Sequence, residues 1–560
     1  MSGAASTAQV VVGSGHMVDA PERREPRFPP DQVARVTAEI GSALDDWGVD
    51  EGTTVVTGGA NGADIIITEE CVRRGARALL CLALPPDEFE KRSVELANSD
   101  WIARFRSLLD RAEVRVLADP PDGDELFAAT NRWVVDTARS IDETEPHTVL
   151  VWNGREGDGP GGTRDFVRLL GYGGPHPNVR VVDPTPRRYE ARQTPDGPKR
   201  LLALDGGGIR GVLTLEILST LEAHLRRRHG DGLVLGDYFD YIAGTSTGAI
   251  IATALALGRP VADVQEMYRT LSRKIFSKRF LPLRFRSIYR DGPLADELDA
   301  FFGADRTLGD PELRSLLLLV MHNTETDSPW PVSNCTHAKY NRGDRYLKTP
   351  PDRNLDLKLS PLVRASAAAP VFFPPQELRI GANDFVFQDG GITPFNNPAL
   401  ILFVMATLPE YGLAWPTGAD RLLLVSVGTG SSAAVHENLL GREVNIAFNA
   451  KNLAAVLMNG SSTTQDLLCR SLGRCVAGRE IDREFGSRVG AEGVGGRSLF
   501  TYARYNADIS DAGLAAAGVA DARVRRSLRK LDAVDRIPEL EEIGRKVGEA
   551  ADFEAALEGF

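Results

Sequence analysis

A serine inside a glycine-rich turn is the first residue of this chain that could do chemistry. GTSTG (244–248) fits the pattern G-x-S-x-G, in which a sharp strand-to-helix turn exposes a serine hydroxyl at a helix N-terminus. The flanking segments YIAG and GAIIATALALG are typical of a short strand and an apolar helix. We therefore predict Ser246 as a nucleophile, with Gly244 and Gly248 as the small residues of its turn. The alternative is an ordinary glycine- and serine-rich turn of an α/β fold.

A second motif, GGGIRG (206–211), follows the apolar strand pattern LLALD and precedes a predicted helix. Three consecutive glycines weaken packing, so they need another reason to be there. A serine that attacks an acyl carbonyl creates an oxyanion, which preorganised backbone N–H groups can stabilise. We predict that the amides of Gly206, Gly207 and Gly208 form this oxyanion site, and that Arg210 adds positive charge or holds the loop.

The same six residues also fit G-x-G-x-x-G, the dinucleotide-binding fingerprint. That fingerprint needs an acidic residue at a strand end about 20 residues further on. Glu222 lies near that distance but falls within a predicted helix. The glycine loop is therefore better explained by an oxyanion than by a pyrophosphate.

A serine hydroxyl needs a base, and a carboxylate is the best candidate in this chain. None of the eight histidines stands in an evident catalytic loop, whereas Asp389 ends the apolar strand pattern DFVFQ at a turn formed with Gly390 and Gly391. We predict a dyad of Ser246 and Asp389. An ordinary Asx turn is the alternative for Asp389.

Composition describes a globular protein of more than one domain. The chain has 560 residues, 42% of them hydrophobic, and a formal net charge of −12, which argues against nucleic-acid binding. Five cysteines without a CxxC pair indicate a reducing cytoplasm and no disulfide framework or metal site. The N-terminal residues do not resemble a signal peptide, and the longest apolar stretch (399–408) is about half of a membrane span. We expect a soluble cytoplasmic protein whose membrane contact is peripheral.

Alternating strand and helix patterns run along both parts of the chain and predict an α/β fold with two domains. Residues 1–183 predict a Rossmann-like parallel sheet. The segment 184–198 is polar and rich in proline and arginine, and we predict it to be a linker. Residues 199–560 form a second α/β pattern that becomes mostly helical after about 432.

The order and spacing of the glycine loop, the G-x-S-x-G turn and D-G-G resemble the patatin-like phospholipase family. Similar supporting segments are SPLVRASAAAPVFFPP (360–375), DGGITPFNNPA (389–399) and LLLVSVGTG (422–430). The resemblance covers roughly 199–560. D-G-G replaces the D-G-A that is common in the family, which leaves the aspartate in place.

This resemblance implies an α/β/α domain with a mixed sheet and a Ser-Asp dyad that works without histidine. By position, Ser246 would be the nucleophile, Asp389 its base and the glycine loop the oxyanion hole. The implied activity is release of fatty acids from membrane glycerophospholipids, with no cofactor and no calcium site. The segment 276–289 mixes aromatic, leucine and basic residues, and it would be either a lid at the membrane or a partly buried connector.

The N-terminal part has glycine-rich turns after successive predicted strands, which should converge at the carboxyl edge of one sheet. This arrangement is similar to the SLOG superfamily of Rossmann-like nucleotide-binding domains. The alternative is that these are structural turns. The candidate nucleotide ligands are Gly58, Gly59, Asn61, Gly62, Asp64, Gly161, Gly162 and Thr163.

Joined together, these features favour a phospholipase A-type hydrolase regulated by a nucleotide second messenger, as in antiphage systems that damage the membrane of the host. A second hypothesis is a nucleotide-binding signalling module whose C-terminal part serves assembly. A third makes the N-terminal domain the enzyme, acting on a nucleotide or NAD, with the C-terminal part for membrane docking. Homo-oligomerisation is left open by the sequence.

Overall fold

The structure is a computed structural model of the chain. It describes residues 9–560 apart from 22, 24–25, 119, 122, 124, 142–144, 154–161, 172–175, 177, 276–291, 342–352, 371 and 432–445. The chain divides into two compact units, the first formed by residues 1–186 and the second by most of residues 187–560. The segment 276–289 and Gly161 lie outside the described residues.

The first unit is built on a parallel sheet. Among its described residues, six strands pair in the order β4-β3-β2-β1-β5-β6, and every pairing is parallel. The inner strands are almost fully buried apolar runs, as expected where helices cover both faces. The strands are β1 (Val10–Gly15), β2 (Thr54–Thr57), β3 (Arg77–Leu82), β4 (Glu113–Val116), β5 (His147–Val151) and β6 (Val179–Val182).

Amphipathic helices connect these strands. In α1, Val36, Ile40, Ala43 and Leu44 share one face and are buried, which is the spacing of a helix packed on a sheet. The helices are α1 (Val33–Asp46), α2 (Ala63–Arg73), α3 (Pro86–Phe89), α4 (Trp101–Leu109), α5 (Glu125–Ile141) and α6 (Thr163–Leu170).

The second unit contains a mixed sheet. Among the residues described there, nine strands are arranged in the order β11-β12-β9-β8-β7-β13-β15-β14, with β10 paired to β9. The pairings of β9 with β10 and β12, and of β11 with β12, are antiparallel, and the others are parallel. The strands are β7 (Lys199–Leu204), β8 (Tyr241–Thr245), β9 (Leu316–Asn323), β10 (Ser328–Ser333), β11 (Gln376–Ile380), β12 (Asn383–Asp389), β13 (Leu422–Val427), β14 (Arg474–Ala477) and β15 (Thr501–Tyr505).

The helices of the second unit surround this sheet. The helix α9 is buried along its whole length, which explains why its sequence is apolar all round. The helices are α7 (Gly211–His229), α8 (Leu235–Tyr238), α9 (Thr247–Ala256), α10 (Val261–Ile275), α11 (Gly292–Phe302), α12 (Leu359–Ser366), α13 (Ala399–Thr407), α14 (Ile446–Leu472), α15 (Asp511–Ala516), α16 (Ala522–Leu528), α17 (Ile537–Glu549) and α18 (Phe553–Leu557). Among the described residues, no helix is long and apolar enough to cross a membrane.

The predicted fold class is confirmed: an α/β chain with a parallel sheet in its N-terminal part and a mixed sheet in its C-terminal part. The segment predicted as a linker contains a short 3-10 helix, Arg188–Arg192, whose Tyr189 is fully buried in the second unit.

The strand β9 determines which residues meet at the edge of the mixed sheet. Its Val320 is paired with Thr245, the last residue of β8, and its Met321 is paired with Asp389, the last residue of β12. Because β9 lies between these two strands, the turn after β8 and the end of β12 are brought together. The parallel strands β7 and β13 end beside them.

Candidate active site

Ser246 occupies a strained turn between β8 and α9. Its φ of 54° lies in the left-handed region, which non-glycine residues rarely adopt. A Cβ on Gly244 would overlap the backbone of Gly248, and a Cβ on Gly248 would overlap the carbonyl of Leu204. Both glycines are therefore required for the close approach of β7, β8 and α9.

The side chains of Ser246 and Asp389 are hydrogen-bonded to each other. Ser246 Oγ donates to Asp389 Oδ2 at 2.6 Å, and Asp389 Oδ1 accepts the Gly391 amide at 2.7 Å. Both side chains are buried. Burial raises the pKa of Asp389 to about 6, although these two hydrogen bonds and the charge of Arg364 act in the opposite direction. The carboxylate is thus ionised at neutral pH but is far more basic than an exposed aspartate.

The turn after Asp389 depends on its two glycines. A Cβ on Gly390 would overlap the carbonyl of Val320, so this residue allows β12 to end close against β9. Gly391 contributes its amide to the carboxylate, as above. The Asx-type contact that the sequence offered as an alternative is therefore present, and it coexists with the contact to Ser246.

Ser366, at the end of α12, is a contact that the sequence analysis missed. Its Oγ accepts the Ser246 amide at 2.9 Å and donates to the Val320 carbonyl at 2.6 Å. The side chain is fully buried. Ser366 therefore links the strained turn to β9.

The three glycines of the loop after β7 have different hydrogen-bonding states. The Gly206 amide donates to the Asn396 carbonyl at 3.0 Å and is not available to a ligand. Within the part of the chain that the structure describes, the amides of Gly207 and Gly208 have no acceptor. Gly208 has a φ of +59° and lies on the same pocket as Ser246. Gly208 thus presents to this pocket an amide that can donate to an oxyanion, whereas Gly207 is not among the residues that line it.

Arg210 holds this loop from within the protein. Its amide donates to the Gly207 carbonyl at 3.2 Å, and its Nε lies 3.4 Å from the same oxygen. Burial lowers the pKa of Arg210 to about 10, and the carboxylate of Asp205 acts against that shift. The sequence left open whether Arg210 adds positive charge to the oxyanion site or holds the loop. These contacts match the second role.

A buried ion pair supports the loop from the other side. Arg504 on β15 donates to both carboxylate oxygens of Asp205, at 2.8 and 2.6 Å, and to Ser426 Oγ at 2.7 Å. Asp205 precedes the first glycine of the loop directly. Burial acts to lower the pKa of Arg504, but the negative charge of Asp205 and the hydrogen bonds to it raise that pKa overall. Burial raises the pKa of Asp205, and Arg504 acts against that shift.

Ser246 and Asp389 lie on an apolar pocket that is open to solvent. Apart from the residues of the dyad, its walls are mostly hydrophobic and aromatic, and they include Ile250, Tyr268, Phe372, Phe373, Met458 and Leu531. No histidine lies among the described residues that line it. The pocket combines a serine, a basic carboxylate, the unpaired amide of Gly208 and apolar walls that suit a hydrocarbon chain, which are the requirements for ester hydrolysis.

In the first unit, the glycine loop after β2 already binds a carboxyl group of the protein itself. The buried carboxylate of Asp64 accepts the Ala60 amide at 3.2 Å and the Gly58 amide. Burial raises the pKa of Asp64 to about 7. These amides are therefore engaged with Asp64 rather than open to a phosphate.

Other candidates in the first unit hold loops or adopt unusual backbone conformations. The Asn61 side chain accepts the Val18 amide at 3.0 Å and donates to the Val94 carbonyl at 3.2 Å. Gly59 and Gly62 have φ values of +80° and +82°. Gly162 is the N-cap of α6, and Thr163 is its first residue.

Comparison with known proteins places this site in a family. A family model described as "Patatin-like phospholipase" matches residues 202–403, which include Ser246 and Asp389. Patatin-like protein 4 of Arabidopsis thaliana is 30% identical over 287 residues, which cover 46% of this chain and 67% of the relative. The chain belongs to the patatin-like phospholipase family.

Two further relatives come from a plant and from a bacterium. Patatin-like protein 1 of Arabidopsis thaliana is 31% identical over 41% of this chain, and the cGAMP-activated phospholipase of Vibrio cholerae serotype O1 is 32% identical over 39% of it. The chain spans 59% of the length of each of these relatives. The family match lies within the second unit, so the resemblance of the first unit to SLOG domains stays a prediction.

Proposed function

We propose that this protein is a phospholipase A-type hydrolase that releases fatty acids from glycerophospholipids of a membrane, with Ser246 as nucleophile and Asp389 as base. The observation that carries the proposal is the 2.6 Å hydrogen bond from Ser246 Oγ to Asp389 on an apolar pocket. Relatives named as phospholipases support the same substrate class.

The reaction begins when Asp389 accepts the hydroxyl proton as Ser246 Oγ attacks the ester carbonyl carbon. The carbonyl oxygen becomes an oxyanion and receives a hydrogen bond from the amide of Gly208. Collapse of this intermediate breaks the ester bond, and the proton on Asp389 passes to the departing glycerol oxygen. The fatty acid remains as an ester on Ser246.

A water molecule then completes the cycle. Asp389 takes a proton from the water as its oxygen attacks the acyl-serine, and the same amide stabilises the second oxyanion. The proton returns to Ser246 Oγ when the fatty acid leaves. No histidine is needed, because burial gives Asp389 a pKa of about 6 and makes it a stronger base than an exposed aspartate.

Fatty-acid release from mixed phospholipid vesicles tests this proposal. The wild-type protein should release fatty acids, and Ser246→Ala and Asp389→Asn should each reduce the rate by at least about a thousandfold, as is usual when a nucleophile or its base is lost. Ser328→Ala and Asp327→Asn remove the same groups away from the pocket and should retain activity. Activity that survives Ser246→Ala would refute the mechanism.

The regulation that we propose is by a nucleotide second messenger bound at the first unit. Two observations support it: β1, β2 and β5 are neighbouring strands of one parallel sheet and end at its carboxyl edge, and two relatives are named cGAMP-activated phospholipases. Because Asp64 engages the amides of Gly58 and Ala60, the start of α6 at Gly162 and Thr163 is the better candidate for the phosphates. Calorimetry and fatty-acid release with cGAMP and other nucleotides test this regulation. If no nucleotide binds and none stimulates fatty-acid release, the proposed regulation is wrong.

Such an activity would damage the membrane of the cell that contains the protein, and we propose an antiphage role on this basis. A bacterial host that expresses the wild-type chain should survive phage infection as a population, whereas a host that expresses Ser246→Ala should not. Equal plaque numbers on the two hosts would contradict the role.

A further inference from the structure

A row of exposed cations lies on the short helix α16 and the turn that follows it. Arg523, Arg526 and Lys530 are spaced by three and four residues, which places their side chains on one side of a helical path. All three are exposed, and none forms an ion pair with a described residue. Arg526 Nε donates only to the carbonyl of Ala522, at 3.3 Å. We call these three residues the cationic row.

Two other arginines of the same segment serve the fold instead. Arg525 and Arg529 contact the carboxylate of Asp511 at 3.1 and 2.8 Å, and Arg529 Nε also donates to the Ile509 carbonyl at 2.9 Å. The segment therefore has one face that holds it in place and one face whose charges have no structural task.

The cationic row adjoins the candidate active site through the next residue of the chain. Leu531 follows Lys530 and lines the pocket of Ser246, and its carbonyl accepts the Ile209 amide at 2.9 Å. A Cβ on Gly208 would overlap this same carbonyl. The last residue of the cationic row is therefore followed directly by a residue that contacts the glycine loop.

A pair of exposed apolar side chains adjoins the pocket from another element. On α14, Val456 is 61% exposed and Leu457 is 46% exposed, while their neighbour Met458 is buried and lines the pocket. Large apolar side chains that remain exposed next to an apolar pocket indicate contact with an apolar partner. We call Val456 and Leu457 the apolar pair.

We propose that the cationic row and the apolar pair form a docking surface for an anionic phospholipid bilayer. The proposal rests on the proposed function, because a bilayer is then the source of the substrate. Cations near an anionic bilayer attract its phosphates, and apolar side chains enter the boundary between headgroups and acyl chains. The surface also explains how a chain with a net charge of −12 approaches a negative membrane.

The combination of the two features favours a bilayer over a dissolved polyanion. A nucleic acid would occupy the cationic row and leave the apolar pair in water, whereas a bilayer satisfies both. The two contributions also differ in their response to salt, since screening weakens the attraction between charges and leaves apolar insertion unaffected.

Vesicle co-sedimentation of the full chain tests the proposal, in a Ser246→Ala background so that no lipid is consumed. The vesicles are phosphatidylcholine alone and phosphatidylcholine with an equal part of phosphatidylglycerol. The triple variant Arg523→Gln, Arg526→Gln, Lys530→Gln should lower the partition coefficient for the anionic vesicles ~100-fold, because each cation at such a surface contributes about a factor of five. Val456→Ser with Leu457→Ser should lower it for both kinds of vesicle.

The control triple variant Arg227→Gln, Arg483→Gln, Arg497→Gln removes the same charge from exposed arginines that do not line the pocket. It should leave the partition coefficient within about twofold of the parent. Equal binding by the cationic-row variant and its control would overturn the proposal. It would also be overturned if the parent bound a dissolved polyanion such as heparin tightly through the cationic row while Val456→Ser with Leu457→Ser left vesicle binding unchanged. Thermal unfolding of each variant establishes that it is folded.

Binding and turnover are separate readouts here. If the Ser246→Ala protein binds anionic vesicles through these residues but the wild-type chain releases no fatty acid, the docking surface stands and the proposed function fails. If the wild-type chain releases fatty acid and binding does not depend on these residues, the docking surface fails and the function stands.

Discussion

The hydroxyl of Ser366 joins the amide of Ser246 to the carbonyl of Val320, with distances of 2.9 and 2.6 Å. Ser246 has a left-handed backbone conformation, which costs free energy and persists only where the surrounding structure imposes it. The Ser366 hydroxyl satisfies the buried N–H of this residue and connects it to β9, the strand that also holds Asp389 through Met321. Ser366 is therefore a positioning residue for the dyad.

Ser366→Ala should lower kcat for fatty-acid release by about 10- to 100-fold with little change in KM, because the turn loses its support while the pocket remains. The buried Ser246 amide would lose its acceptor, and the free energy of unfolding should fall by about 1–3 kcal/mol. Ser366→Thr keeps the hydroxyl and should recover most of kcat.

Ser360, on the same helix, provides the control for this variant. It is also buried, but its hydroxyl has no partner among the described residues. Ser360→Ala should therefore leave kcat unchanged. Steady-state kinetics of the three variants would count against a positioning role if Ser366→Ala and Ser360→Ala behaved alike.

Hydrolysis should depend on pH through Asp389. The group acts as a base only when it is ionised, and burial raises its pKa to about 6. The value of kcat/KM for a soluble short-chain ester should therefore fall as the pH drops through about 6, with a slope of one proton. An acid limb centred near pH 4 would show that Asp389 is not the base that limits the reaction.

Asp389→Asn should make the protein more stable above pH 6 while removing its activity. The pKa of Asp389 is about 6 in the folded chain against 3.8 for the free group, so ionisation favours the unfolded state. The cost is absent below about pH 3.8, grows as the pH rises and is complete above about pH 6, where it amounts to roughly 3 kcal/mol. An asparagine fits the site, because its Oδ1 can accept the Gly391 amide and its Nδ2 can donate to Ser246 Oγ.

Denaturant unfolding of both proteins at pH 5 and pH 8 measures this effect. The stability advantage of Asp389→Asn over the wild type should be larger at pH 8. An equal difference at the two pH values would mean that the carboxylate carries no buried charge in the folded protein.

The glycine loop should tolerate no side chain at Gly208. A Cβ there would overlap the Leu531 carbonyl, and the φ of +59° strains any other residue. Gly208→Ala should reduce fatty-acid release by at least about a hundredfold, since a displaced amide no longer reaches the oxyanion. Gly230 also has a positive φ but faces open space, so Gly230→Ala should cost about 1–3 kcal/mol of stability and leave the rate intact. Equal rates of fatty-acid release in the two variants would show that the glycine loop does not take part in catalysis.

The sequence could predict the parts of the site that local patterns encode. Strand-turn-helix signals indicate the turn that carries Ser246, and the end of an apolar strand indicates the turn at Asp389. The α/β class and the parallel sheet of the first unit follow from the same patterns of strands and helices, whereas the mixed sheet of the second unit is implied only by the resemblance to patatin-like phospholipases.

Contacts across long stretches of chain have no such signal. Ser366 lies 120 residues from Ser246, in a segment whose small residues are typical of any packed helix end. Arg504 lies 299 residues from Asp205 and appears in the sequence as an ordinary charged residue on a strand. The pairing depends on β13 lying between β7 and β15, which only the folded sheet shows.

In the first unit, side chains that resemble ligands in the sequence have internal partners. The Asn-Gly and Gly-Gly pairs of residues 57–64 suggest a phosphate loop, yet Asn61 joins loops and Asp64 takes two amides of that loop. A pattern of glycines indicates that backbone amides can be approached closely by another group. It does not indicate which group of the protein they receive afterwards.

Covalent labelling of the serine is the most direct test of the account. A long-chain alkyl fluorophosphonate transfers its phosphonyl group to an activated serine with loss of fluoride, and peptide mass spectrometry identifies the residue. The account predicts a single label on Ser246, with labelling slowed strongly in Asp389→Asn and absent in Ser246→Ala. A label on another serine, or undiminished labelling and fatty-acid release in Ser246→Ala, would contradict it.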